Sequence, residues 1–227
     1  GIDMTHPDLR INQWANMGEI CGNGLDDDNN GYVDDCRGYN FADNTGSNLQ
    51  GDGSHGTHCA GIVAADSDNN IGVAGTAGGA PGRPGASLMI LTTFGQARNS
   101  GFQEAIVYGA DMGAAISSNS WGYTRSGVRN QAVLDAIDYF NAYGGGNVSD
   151  GGIVVFAAGN DNDDGQWYPA YYGSDQYSGA VAVASTTSRL SRSSFSNYGS
   201  WVDVAAPGSS ILSTVLNGGY RTMSGTS

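Results

Sequence analysis

Apolar residues along this chain come in short blocks separated by runs of glycine, serine and asparagine, and the blocks are of two kinds. Blocks at 86–91, 113–120, 153–157, 180–184 and 202–205 are too short for helices and read as strands of a covered sheet. Between them the spacing turns helical. Phe102 and Ile106 share one face of 102–112, and Val133, Ile137 and Phe140 recur at i, i+4 and i+7 within 129–143. A third segment, D-G-S-H-G-T-H-C-A-G-I-V-A-A at 52–65, is small or apolar on every side, which predicts a helix packed all round with His55 at its mouth. Residues 211–223 read as a hairpin about Asn217-Gly218-Gly219. Strands alternating with helices predict an α/β fold of three layers, a mostly parallel central sheet with helices on both faces.

Length and composition narrow this picture. The 227 residues suit a single domain over 1–227, and the 39% apolar content is enough for a sizeable core. The 37 glycines follow no three-residue period, so they mark turns and close backbone approaches rather than a fibre. Nine basic residues against 22 acidic ones leave a net charge of −13, which repels phosphate backbones and anionic membranes and excludes nucleic acid as a partner. No apolar run is long enough to span a bilayer as a helix.

The acidity is concentrated in one place. Between Cys21 and Cys36, Asp26, Asp28 and Asn30 alternate and Gly31 follows, the start of a calcium loop in which hard oxygen ligands from alternate residues converge on one ion. Asp34 or Asp35 completes the set. Arg37 stands where an EF-hand has its glutamate, so the loop, taken as an insertion at 21–36, is not an EF-hand; the alternative is a solvated acidic surface loop. The bracketing cysteines read as a Cys21–Cys36 disulfide, with Cys59 left as a thiol in the small-residue helix, and imply an oxidising, extracytoplasmic setting.

In parallel sheets, functional groups collect beyond the carboxyl ends of the strands. Asn119-Ser120-Trp121-Gly122 and Ala158-Gly159-Asn160 fall there, and the chain closes on Ser224-Gly225-Thr226-Ser227 after the hairpin. No G-x-G-x-x-G follows a strand, which disfavours a dinucleotide site. A histidine fixed on a buried helix is suited to proton transfer near neutral pH.

Four motifs now occur in order: G-I-D-x-x-H-P-D-L at 1–9, H-G-T-H-C-A-G at 55–61, A-A-G-N at 157–160 and S-G-T-S at 224–227. Segments 119–122, Y-P-A at 168–170 and V-D-V-A-A-P-G at 202–208 join them, and together the chain resembles the subtilisin-like serine peptidases over nearly its whole length. The resemblance implies Ser227 as nucleophile, His55 as the base that activates it, and an oxyanion site made by the Asn160 side-chain amide with the Ser227 N–H. It places the third member, an aspartate, two residues before Gly1, so the expectation is a piece cut at both catalytic ends and inactive as it stands; Asp3 and Asp8 do not occupy the acid's place. For substrate it implies an extended peptide bound as an added strand. Ser120, Trp121 and Gly122 would form one wall of the main pocket and Ala157, Ala158 and Gly159 the other. Ser100 and Gly101 would supply an edge strand, and Trp167 would narrow the pocket floor. Calcium as cofactor, peptide or protein substrates, secretion and a monomeric state complete the expectation.

The same residues admit other readings. His58 shares His-x-x-His spacing with His55 but lacks a third ligand, which favours a structural hydrogen bond over a metal site. Cys59 reads as a small buried hydrophobe rather than a nucleophile. Asp203 in a strand reads as structural, and Ser224 as shaping a turn. Against the enzyme stand a non-catalytic binding or structural module with the same fold and, less economically, a calcium-loop adhesion module.

Overall fold

The computed structural model describes every residue except Asp52 and residues 174–178. Position 52, the first of the histidine stretch, therefore lies outside the described residues. The chain forms two compact units: Gly1–Ala105 with Leu212–Arg221, and Ile106–Ile211 with Thr222–Ser227.

The second unit is built on a parallel sheet in the order β3 (Ile116–Asn119), β4 (Ile153–Ala157), β5 (Ala180–Thr186) and β6 (Val204–Pro207). The two central strands carry the core. Val154, Phe156 and Ala182 are fully buried, whereas Ile116 and Val204 on the edge strands are exposed. Pro207 is tolerated at the end of an edge strand, where its missing N–H breaks no ladder. Helix α3 (Gln131–Tyr143) packs against β4 through Val133, Ile137 and Phe140, the face set by the i, i+4, i+7 spacing. It begins two residues later than the spacing suggests because the Asn130 side chain accepts a hydrogen bond from Ala132 N (3.0 Å) and caps the first turn. Strand β6 likewise starts at 204 rather than 202, after Asp203 has bonded both ways to Ala182, N to O at 3.1 Å and Oδ2 from N at 2.8 Å.

In the first unit, β1 (Gly38–Asn40) pairs in parallel with β2 (Ile90–Thr92). Helix α1 (Ser54–Ala64) buries Thr57, His58, Ala60, Gly61 and Ala64, and leaves His55 exposed. Leu9, Ala60 and Ala65 form the local core with Ile2, Val73 and Leu88 around them. The glycines of α1 are explained by contacts. A Cβ on Gly56 would overlap the carbonyl of Gly1, and one on Gly61 would overlap the hydroxyls of Ser213 and Thr214. Those hydroxyls donate to the carbonyls of His58 (2.8 Å) and Thr57 (2.7 Å). Ser213 and Thr214 belong to β7 (Ile211–Val215), which forms a hairpin with β8 (Gly219–Met223). Asn217 and Gly218 in its turn both have positive φ, the requirement of the tight hairpin turn that Asn-Gly signals. Helix α2 (Phe102–Asp111), most of which belongs to the second unit, is the remaining α-helix among the described residues, and Arg10–Asn12 form a short 3-10 helix. No helix of the described residues is long and apolar enough to cross a membrane.

Candidate active site

The candidate residues divide between the two units. In the first, His55 occupies the opening turn of α1, which starts after Gly53 at φ 50° without a side-chain cap. Its Nε2 lies 3.7 Å from the Sγ of Cys59, one turn on. Cys59 is outside the disulfide and half-buried rather than fully buried. His58 points the other way and is buried, with Nε2 3.0 Å from the carbonyl of Arg221. Ser100 and Gly101 do not lie in a strand. They precede α2, where Gly101 O accepts from Ala105 N (2.9 Å) and only an isolated bridge joins Phe94 to Asn99.

Asp3 and Asp8 are buried and held in place by the loops around them. Asp3 Oδ1 accepts from the amide (2.9 Å) and hydroxyl (2.7 Å) of Thr5, and Oδ2 from Asn217 N (2.9 Å). Burial pushes its pKa up, but the bonds from Thr5 and Asn217, with the charge of His6, outweigh it and hold Asp3 below its ordinary 3.8. Asp8 accepts from Asn69 Nδ2 (2.7 Å), Val73 N (3.0 Å) and Tyr220 Oη (3.2 Å), and so ties residues 69–73 to the hairpin. Burial first, then the charge and hydrogen bond of Asp8, raises the pKa of Tyr220.

The second unit assembles the remaining candidates at the carboxyl ends of adjacent strands. Asn119 of β3 pairs with Phe156 of β4, so the segments 120–122 and 157–160 leave the sheet side by side. Trp121 fixes the first segment: its Nε1 donates to Asn119 Oδ1 (3.1 Å), and its ring meets Phe156 edge-on at 5.2 Å. Gly122 has space beside it, with Tyr168 O 3.5 Å from where a Cβ would sit. Trp167 donates to Asp163 Oδ2 (2.7 Å).

The second segment is held by a residue that the chain's local pattern does not reveal. Asn197 is fully buried and reaches across residues 158–163. Its Nδ2 donates to Ala158 O (3.0 Å), its backbone N donates to Gly159 O (2.9 Å), and its Oδ1 accepts from the amides of Asp161 (2.8 Å) and Asp163 (3.2 Å). Gly159, at φ 104°, is needed here because a Cβ would run into Asn197 Nδ2. A buried asparagine far along the chain leaves no local periodicity.

The S-G-T-S segment docks on the turn thus held. Thr226 donates from N (3.0 Å) and Oγ1 (3.1 Å) to Asn160 Oδ1, and its Oγ1 accepts from Gly159 N (3.1 Å). Asn160 Oδ1 is thus committed to Thr226. A Cβ placed on Gly225 would lie 3.8 Å from both Asn160 Nδ2 and Ser227 N, so the two N–H groups flank the same side of Gly225. Ser224 accepts from Ser210 N (2.9 Å) and shapes the turn.

The acidic loop lies in the first unit. Cys21 and Cys36 are joined in a disulfide. Asp26 Oδ1 and Oδ2 accept from Asn30 N (3.0 Å) and Gly31 N (2.9 Å). Asp28 accepts from Asn30 N (3.1 Å), Asn30 Nδ2 (3.2 Å) and Asn16 Nδ2 (2.8 Å). Asp34 caps the amides of Gly22, Asn23 and Gly24, and Asp35 is fully buried against the side-chain amides of Asn16 and Asn30. Within the set Asp26, Asp28, Asn30, Asp34 and Asp35, Asn30 bonds to both Asp28 and Asp35, while Asp34 turns to the amides of 22–24. Carboxylate oxygens of Glu19, Asp26 and Asp28 do converge.

The asparagine turn and the serine-bearing segment docked on it thus lie beyond the carboxyl ends of a parallel sheet, where such sheets collect functional groups. The chain belongs to the subtilase family, whose model matches residues 1–227. It is similar to thermitase of Thermoactinomyces vulgaris, 40% identical over all of this chain and 67% of that protein. It is also similar to a thermophilic serine proteinase of Bacillus sp. (strain AK1), 35% identical over all of this chain and 46% of that protein. Among solved structures, a cold adapted subtilisin-like serine proteinase is 29% identical with a TM-score of 0.63, covering 100% of this chain and 66% of that one. The protease domain of PatA shares the fold at 22% identity, with a TM-score of 0.68 over 99% of this chain and 70% of that one.

Proposed function

We propose that this chain carries the histidine, the serine and the oxyanion donors of a serine endopeptidase that cleaves peptide bonds through an acyl-enzyme. The observation that supports it most is the docking of 224–227 on the Asn160 turn, with Asn160 Nδ2 and Ser227 N flanking the same side of Gly225.

In this reading the His55 imidazole removes the Ser227 hydroxyl proton as Oγ attacks the scissile carbonyl carbon. The carbonyl oxygen gains negative charge, and the two N–H donors stabilise it without reorganising. The protonated imidazole then gives its proton to the leaving amine. Water, deprotonated in turn by His55, hydrolyses the ester and frees Ser227. The carboxylate that orients His55 belongs, in the family pattern, before Gly1. Asp3 and Asp8 are not its substitutes, since their oxygens are taken by Thr5, Asn217, Asn69, Val73 and Tyr220. The paired segments 120–122 and 157–159, braced by Trp121 on Phe156, would wall the pocket for one substrate side chain. The disulfide fits action in an oxidising compartment outside the cytoplasm.

The test uses the chain with its native flanking residues and a chromogenic peptide. Ser227→Ala should reduce kcat by about 10⁴-fold or more, and Asn160→Ala by about 10²- to 10³-fold with little change in KM. Undiminished hydrolysis by Ser227→Ala would overturn the assignment.

A further inference from the structure

Residues 158–163, which carry Asn160, lie along residues 195–198, and the two stretches are joined by more than the bonds of Asn197. Asn162 N donates to Phe195 O (2.8 Å), and Tyr198 N donates to Asp163 O (3.1 Å). The second stretch is itself pinned to β5, where Ser185 N donates to Ser196 Oγ (3.0 Å) and both residues are fully buried. Arg192 adds a bond from Nη1 to Asn162 Oδ1 (2.9 Å), while its guanidinium lies 4.4 Å from the centre of the Tyr198 ring. The turn that bears Asn160 is therefore mounted on the sheet through 195–198.

Within this mounting, Asn197 bonds on both sides of Asn160 with one side chain. Its Nδ2 donates to Ala158 O ahead of Asn160, and its Oδ1 accepts from Asp161 N and Asp163 N behind it. Only a carboxamide offers N–H donors and an oxygen with two lone pairs in one neutral planar group. Asn160 is thus held in two ways, its side-chain oxygen by Thr226 and its flanking main chain by Asn197. The position of the Asn160 amide follows from the two together. A donor that stabilises charge developing in the transition state acts only where that charge forms, and a misplacement of about 1 Å can cost about 10²-fold in rate.

We propose that Asn197 is a positioning residue of the oxyanion site, fixing the main chain on either side of Asn160 so that the Asn160 amide meets the developing oxyanion. This inference rests on the peptidase reading above. Asn197 is fully buried and acts on the reaction through Asn160. Its loss should therefore lower kcat and leave KM nearly unchanged, as for an interaction made only in the transition state.

A double-mutant cycle tests it, in the chain with its native flanking residues and with a chromogenic peptide; kcat is referred to the folded fraction read by circular dichroism. Asn197→Ala should lower kcat by about 10- to 100-fold with KM within about twofold. In the Asn160→Ala background, where the donor is already gone, the same change should lower kcat by less than about threefold. Should Asn197→Ala fail to fold, Asn197→Ser, which keeps a hydroxyl in place of the amide, should show the same dependence on Asn160. Equal losses of kcat in the two Asn160 backgrounds, a loss confined to KM, or full kcat in both Asn197 variants overturns this inference while leaving the peptidase reading intact. Undiminished hydrolysis by Ser227→Ala in the same assay overturns that reading, and this inference with it.

Discussion

At the scale of single residues, Asn197 does most to shape the candidate site without touching a substrate. Four hydrogen bonds from one asparagine hold residues 158–163, three of them made by its side chain. Truncation leaves Ala158 O and two amides to find other partners in a buried setting. Asn197→Ala should therefore cost about 2–4 kcal/mol in a urea titration, at the upper end of what unsatisfied buried groups cost. Asp3 makes a prediction of a different kind. Its folded pKa lies below 3.8, so its contribution is complete above that value and is lost as pH falls through the depressed pKa. The stability difference between the native chain and Asp3→Asn should be constant from neutral pH down to about pH 5 and should shrink below about pH 4. A difference that grew on acidification would contradict the hydrogen-bonding account.

At the scale of elements, α3 and β4 were legible in the sequence because each buries a periodic face, α3 through Val133, Ile137 and Phe140, β4 through Val154 and Phe156. The hairpin was legible for a stereochemical reason, the positive φ that Asn217 and Gly218 both adopt. Strand β1, Gly-Tyr-Asn, was not, since three residues carry no period and its pairing partner lies some fifty residues on, at β2. The same limit hid Asn197. Its role depends on polar contacts between distant segments, which no local pattern of apolar residues records. His55, Asn160 and Ser227 could be picked out only through motifs taken together; any one alone matches too many other uses of its residue type. For α1 the contacts with β7 set a sharp limit on side-chain size. Gly61→Ala places a methyl group against the hydroxyls that bond to Thr57 and His58, and should destabilise the chain by about 1–3 kcal/mol, although alanine is the better helix former in isolation. A neutral or stabilising effect in thermal denaturation would show that α1 is not seated on β7 in this way.

At the scale of the whole molecule, a net charge of −13 with no lysine makes the surface self-repelling, and the acidic loop adds to that repulsion three converging carboxylates. The division into units has a different consequence. The sheet of the second unit is nearly continuous in sequence, but the first unit needs residues 212–221 to close. Until those residues leave the ribosome, Thr57 and His58 of α1 lack the hydroxyls of Ser213 and Thr214, and Asp8 lacks Tyr220. During synthesis the histidine helix is thus made early and secured late, after the sheet bearing Asn160 has already emerged, so the nascent chain completes its first-made half last.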